Sequence, residues 1–133
     1  LALPDDDLRE CAFSRQKARY ARALATAIAD GEFGLDGLAR VADDAARDAL
    51  QSLLGVGDWT ADIYLLMALR RADVMPRGDL ALHIAFREVF ELDATPSSDD
   101  FQRLADDWRP LRSVAARLLW HQYLSTPRRT RRP

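Results

Sequence analysis

The chain has 133 residues, 48% of them hydrophobic, with one cysteine and a formal net charge of −2. That length suits one domain with enough apolar content for a core, and Cys11 alone excludes an internal disulfide, a four-cysteine zinc site and a cysteine-ligated iron–sulfur cluster within the chain. No apolar run approaches the ~20 residues that span a bilayer, and the charge balance argues against a nonspecific polyanion binder.

No secretory signal is visible. The chain starts at Leu1 without a methionine, so its natural start is expected to lie upstream. Cysteine usage suits a reducing cytoplasm. Along the chain, Ser14 can cap a helix running to Asp30, with Ala18, Ala21, Ala25 and Ile28 on one stripe. Gly31 and Gly34 end it. A short helix is expected at 35–41 and another from Asp43 to Leu53. The next, Asp58 to Arg70, is apolar nearly all round: Trp59, Ile63 and Leu66 on one side, Ala61, Leu65 and Ala68 on the other. That pattern predicts a helix sandwiched inside the molecule. Asp79 caps a helix to Phe90, and Thr95-Pro96-Ser97-Ser98 leads into a helix ending at Trp108. Pro110 fits the first turn of a last helix reaching Ser125. Val74-Met75 is too short for a strand, and no alternating β-branched run occurs. The reading is all-α: one helical domain over 1–126, incomplete at its N-terminus, then a basic disordered tail at 127–133. That tail, Arg128-Arg129-Thr130-Arg131-Arg132, holds four of the basic residues. The rest is therefore acidic, and any DNA contact must be a local patch with backbone donors.

Two features point to chemistry. Leu53-Leu54-Gly55-Val56-Gly57-Asp58-Trp59-Thr60-Ala61 reads as helix, glycine-tight turn, helix. Gly55 and Gly57 permit positive φ and close approach of another backbone. The N–H groups of Gly55, Val56 and Gly57, and those of the helix that follows, would favour a phosphate. An ordinary αα-hairpin explains the same residues. Asp79 stands in Met75-Pro76-Arg77-Gly78-Asp79-Leu80, and a helix cap accounts for it structurally.

Together these residues are more specific. Leu-x-Gly-Val-Gly-x-Trp-Thr-Ala, with Asp79 downstream, resembles the helix-hairpin-helix superfamily of DNA glycosylases, in its DNA-3-methyladenine glycosylase II branch. Ser14-Arg15-Gln16-Lys17-Ala18, Asp79-Leu80-Ala81-Leu82 and Trp108-Arg109-Pro110-Leu111-Arg112-Ser113 extend the resemblance over residues 5–126. It implies a base-excision-repair enzyme that flips alkylated purines out of double-stranded DNA and hydrolyses their N-glycosidic bond. Asp79 becomes the catalytic carboxylate, stabilising positive charge on the deoxyribose or deprotonating a water. Asp58, Asp62 and Asp73 read as solvated helix-end or turn residues, leaving Asp79 without an acid partner. Strand-nicking branches carry a Schiff-base lysine two residues after the second hairpin glycine. Trp59 holds that place here, and Lys17 is the only lysine, so the expected enzyme is monofunctional.

The resemblance also makes Trp59 and Trp120 aromatic walls of the base pocket, where stacking and cation–π attraction favour a methylated purine. Ile63 stands beside them where the best-known members have another aromatic. Thr60 joins Gly55, Val56 and Gly57 in DNA binding. Main-chain carbonyls of Gln51, Leu53 and Gly55 match positions that hold a monovalent cation; no other cofactor is required. On the last helix Leu111, Val114, Ala115 and Leu118 read as the core stripe, with Trp120 roughly opposite, beside Ser113 and Ala116. Trp108 reads as core packing and His83 as a surface histidine. Arg15, Arg19 and Arg22 share one helical face, which a solvated surface explains more simply than a phosphate track. The rival reading is a catalytically inert helix-hairpin-helix DNA-binding module. Asp79 discriminates, because a binder needs no pocket carboxylate beyond the cap.

Overall fold

The computed structural model describes residues 3–126, so the basic tail expected at 127–133 lies outside the described residues. Among these every regular element is helical, and no helix is long and apolar enough to cross a membrane. The chain divides into two compact units, Leu1–Gly57 and Asp58–Pro133.

The first unit begins with α1 (Asp5–Glu10), which the sequence reading does not anticipate. Pro4 precedes it without a side-chain cap, and six residues offer too little periodicity to detect. Helix α2 (Arg15–Ala29) starts as expected, with the Ser14 hydroxyl accepting the Lys17 N–H at 3.3 Å. The short α3 (Leu35–Leu38) and α4 (Asp43–Gln51) follow, each ending before its predicted limit. Ala18, Phe33, Leu38, Ala46 and Leu50 form the buried apolar set of this unit.

In the second unit α5 (Asp58–Ile63) runs into a π-helical turn, Tyr64–Ala68, and Arg70 stops it with a left-handed φ of +55°. The sandwiched helix is found only in part: Ala61, Leu65 and Leu66 are buried, whereas Trp59 and Met67 are exposed. A loop over 69–79 leads to α6 (Leu80–Val89), then α7 (Ser98–Ala105) with a 3-10 turn at Asp106–Trp108, and α8 (Arg112–Ser125). Ser97 caps α7, its hydroxyl accepting the Asp100 N–H at 3.2 Å. Pro110 lies before α8 rather than in its first turn, because Leu111 is the residue preceding the helix.

The core sits between α6 and α8, which pack on each other, and continues through Phe101 of α7. Phe101 is fully enclosed, and removing so large a buried ring typically costs about 3–5 kcal/mol. Trp108 packs as read, 5.6 Å from Phe86 and 6.1 Å from Phe90 between ring centroids. The stripe assigned on α8 is corrected. Ser113, Ala116 and Leu119 are buried, while Leu111, Val114 and Leu118 (65% exposed) face outward. Apolarity alone misjudged the face; the small Ser113 and Ala116 permit close packing, and Ser113 also bonds a neighbouring backbone.

Candidate active site

The loop over 69–79 is fastened at both ends of its course by side chains of the second unit. Asp73 takes hydrogen bonds from Arg112 Nε at 2.7 Å and Nη2 at 3.0 Å, and from Arg109 Nη1 at 3.1 Å. The Arg112 side chain beside it, through hydrogen bonding and then charge, holds the Asp73 carboxyl below its ordinary value. Ser113 Oγ donates to the Arg71 carbonyl at 2.6 Å and accepts the Val74 N–H at 3.0 Å. Gln102 reaches the Met75 carbonyl at 3.3 Å. Asp62, on α5, accepts the Arg77 N–H at 3.1 Å. The resembling segment Trp108–Ser113 therefore acts structurally here: three of its side chains, Arg109, Arg112 and Ser113, stitch the loop that delivers Asp79.

Two of the acids read as solvated are corrected by this geometry. Asp62 is 1% exposed and Asp73 is the anchor of an ion-paired cluster. Nothing in the local sequence signals this, since the partners lie on other elements. His83 is likewise buried rather than on the surface, its Nδ1 3.2 Å from the Pro96 carbonyl and its ring 4.5 Å from Phe101.

Asp79 itself is 8% exposed and does two things. Its Oδ1 accepts the Leu82 N–H at 3.0 Å, the expected helix cap. Its Oδ2 accepts the indole N–H of Trp59 at 2.9 Å. The second bond is not needed to start α6. It crosses from α5 and fixes the rotation of the carboxylate about its last bond. The sequence reading gave Trp59 a stacking role only; its polar edge carries an additional one. Trp59 keeps 49% of its surface exposed.

The other pocket candidates are less concentrated. Ile63 is half-buried on α5. Trp120 is half-buried on α8, on the same face as the buried Ser113 and Ala116. Thr60 is exposed in the first turn of α5.

In the first unit, the turn after α4 shows why Gly55 is glycine. Its φ is +88°, and a Cβ there would lie 2.4 Å from the Tyr20 ring. Any side chain would combine left-handed strain with a clash. Gly57 has no positive φ, so that part of the expectation is corrected; the space at its Cβ is open. The Val56 N–H is committed within the turn to the Leu53 carbonyl at 3.1 Å. Gln51 ends α4, and Leu53 and Gly55 follow it in the turn. Among the described residues no cluster of His, Cys, Asp or Glu has the arrangement of a metal site.

The family described as HhH-GPD superfamily base excision DNA repair protein matches residues 1–110. YfjP of Bacillus subtilis, whose name assigns it provisionally to the DNA-3-methyladenine glycosylases, is 33% identical over 114 residues, covering 86% of this chain and 40% of that protein. The alkylbase DNA glycosidase-like protein mag2 of Schizosaccharomyces pombe is 28% identical over 116 residues, covering 86% of this chain and 54% of that protein. The chain thus spans about half the length of the curated relatives it matches. In fold it is similar to the crystal structure of DNA-3-methyladenine glycosidase from Bacillus halodurans, with a TM-score of 0.81 at 22% identity over 93% of this chain and 57% of that one. The chain belongs to the HhH-GPD superfamily of base excision DNA repair proteins, and its matched relatives lie in the alkylbase glycosylase branch.

Proposed function

We propose that this chain is the helix-hairpin-helix part of a monofunctional DNA glycosylase that removes alkylated purines from double-stranded DNA by base flipping, in a bacterial cytoplasm. The observation that carries the reading is the Asp79 carboxylate, which caps α6 by accepting the Leu82 N–H and also accepts the Trp59 indole N–H. A helix start needs only the first of these bonds. The second supports catalysis over the inert binding module, because it fixes an orientation that capping leaves free.

The proposed chemistry follows from that carboxylate. As the N-glycosidic bond lengthens, positive charge builds on the deoxyribose and electrons leave with the base. Asp79 faces that charge, or takes a proton from the water that attacks C1′. An N-alkylated purine is already cationic and departs without a strong acid, so one carboxylate suffices. The Trp59 ring face and Trp120 serve as stacking surfaces for the flipped base, with Ile63 shaping the pocket. Gly55, Val56, Gly57 and Thr60 form the phosphate contact, with the donors left by the Val56–Leu53 bond. Carbonyls of Gln51, Leu53 and Gly55 would hold a monovalent cation, whose positive charge would reinforce phosphate binding. A further helical segment of the longer protein, or a second chain, covers the outward apolar face of Leu111, Val114 and Leu118.

The test is release of methylated bases from alkylated DNA by the intact protein. Free 3-methyladenine or 7-methylguanine is the expected product. Duplex binding with no base released from any alkylated substrate would favour the inert module.

A further inference from the structure

The first unit holds a cleft that the proposed chemistry does not use. Arg9, Phe13, Arg15, Ala18, Arg19 and Arg22 line a space of about 360 Å³ where α1 meets the N-terminal half of α2. Two of its arginines are already engaged. Arg9 pairs with Asp6 at 2.9 Å, and Arg22 donates to the Leu3 carbonyl at 2.5 Å. Arg15 and Arg19 are exposed, and neither has a hydrogen bond or ion pair among the described residues.

Their placement is electrostatically unfavourable without a ligand. Arg15 is the first residue of α2, whose first turn contains no acidic residue. The N-terminal end of a helix already carries partial positive charge, so a cation there is disfavoured. A protein with net charge −2 therefore concentrates uncompensated positive charge in one concave place. An anion would relieve it, and guanidinium groups suit phosphate in particular.

Shape narrows the anion. From Arg15 to Arg19 the helix advances about 6 Å at ~1.5 Å per residue. One DNA strand presents a phosphate every ~3.4 Å along its axis. The spacing of Arg15 and Arg19 therefore suits about two successive phosphates, whereas a single small anion would occupy one part of the cleft. Helix α2 also braces the hairpin turn. Its Tyr20 ring packs under Gly55, and Gln16 Nε2 donates to the Tyr20 hydroxyl at 2.8 Å. The arginine row and the hairpin support thus belong to one helix within one unit.

We infer that this arginine-lined cleft is a second contact for the DNA phosphate backbone, additional to the hairpin. The inference rests on the DNA-directed reading above. It supplies affinity and register without reading sequence.

The test compares the intact protein with Arg15→Gln/Arg19→Gln, which breaks no interaction among the described residues. Relief of the helix N-terminus should leave the melting temperature unchanged or raised. Anisotropy of a fluorescent lesion-free duplex is followed between about 50 and about 200 mM salt. The double variant should bind roughly tenfold more weakly at the low-salt end, with the slope of log K against log salt shallower by about two. Arg15→Lys/Arg19→Lys should keep most of that slope, because the charges remain. Base release at saturating DNA should be unaffected. A folded Gln variant with wild-type affinity and slope overturns the inference and leaves the glycosylase reading standing. Wild-type protein that binds inorganic phosphate or a mononucleotide but no duplex overturns both, before any substitution is made.

Discussion

Trp59→Phe separates the two roles proposed for one side chain. It keeps an aromatic face for the base and deletes the indole N–H that holds Asp79 Oδ2 at 2.9 Å. A hydrogen bond to a charged acceptor contributes a net ~1.5–3 kcal/mol. Asp79 is only 8% exposed, so water has little access to replace the lost donor. If the bond orients the carboxylate at the transition state, the whole of that energy appears in the barrier, slowing excision roughly 10- to 150-fold. Losing the bond should also cost about 1–3 kcal/mol of stability, read separately from the melting temperature, while Asp79 Oδ1 still caps α6 by accepting the Leu82 N–H. Single-turnover excision from methylated DNA, with duplex affinity measured in parallel, is the assay. The account expects the rate to fall and binding to stay within about twofold. Trp59→Ala should weaken substrate binding as well, since the stacking face is lost. A Trp59→Phe protein that excises at the wild-type rate would show that the N–H bond does not orient Asp79.

Three further outcomes follow from the geometry. Gly57→Asp should fold, because the space at its Cβ is open, yet bind lesion-free duplexes of every sequence more weakly by carboxylate–phosphate repulsion; unchanged anisotropy titrations would leave the hairpin a structural turn only. Arg112 lowers the folded-state pKa of Asp73, so the stabilisation is present above the ordinary carboxylate range and lost as pH falls through the folded value. Arg112→Gln should therefore lower the melting temperature by several degrees at neutral pH, with a smaller difference at about pH 3; a deficit independent of pH would separate the effect from this ion pair. Borohydride should trap no protein–DNA complex and abasic product strands should stay intact until alkali is added, because Trp59 occupies the lyase-lysine position and Lys17 is the only lysine; efficient trapping would contradict a monofunctional enzyme.

What was legible in the sequence was local. Ser14, Asp79 and Ser97 each cap a helix with a hydroxyl or carboxylate reaching the N–H three residues on, and such bonds are written in adjacent residues. Gly55 likewise announced a turn, although the ring that forbids a side chain there, Tyr20, lies on another helix. What was missed depends on partners far along the chain. Asp62 and His83 belong to polar types that are mostly exposed, and each is buried against a backbone group on another segment. On α8 both faces carry apolar residues, so periodicity could not choose between them. Close packing with α6 selected Ala116 and Leu119, and Ser113 was drawn inward by its bonds to Arg71 and Val74. The Trp59–Asp79 bond illustrates the same limit at the site: both residues were singled out, but not the hydrogen bond that joins them.

The central claim is that Asp79 carries chemistry as well as a helix cap, and Asp79→Asn tests it most directly. Asparagine is an equally good cap, so circular dichroism should report a folded protein. Its amide presents one acceptor where the carboxylate presents two, so either Leu82 or Trp59 loses its bond, a cost of about 1–3 kcal/mol at most. Single-turnover excision from DNA containing methylated purines should fall about 10²- to 10³-fold or more, with affinity for the same duplex retained. Wild-type excision by folded Asp79→Asn would remove Asp79 from the mechanism and leave it as the cap of α6.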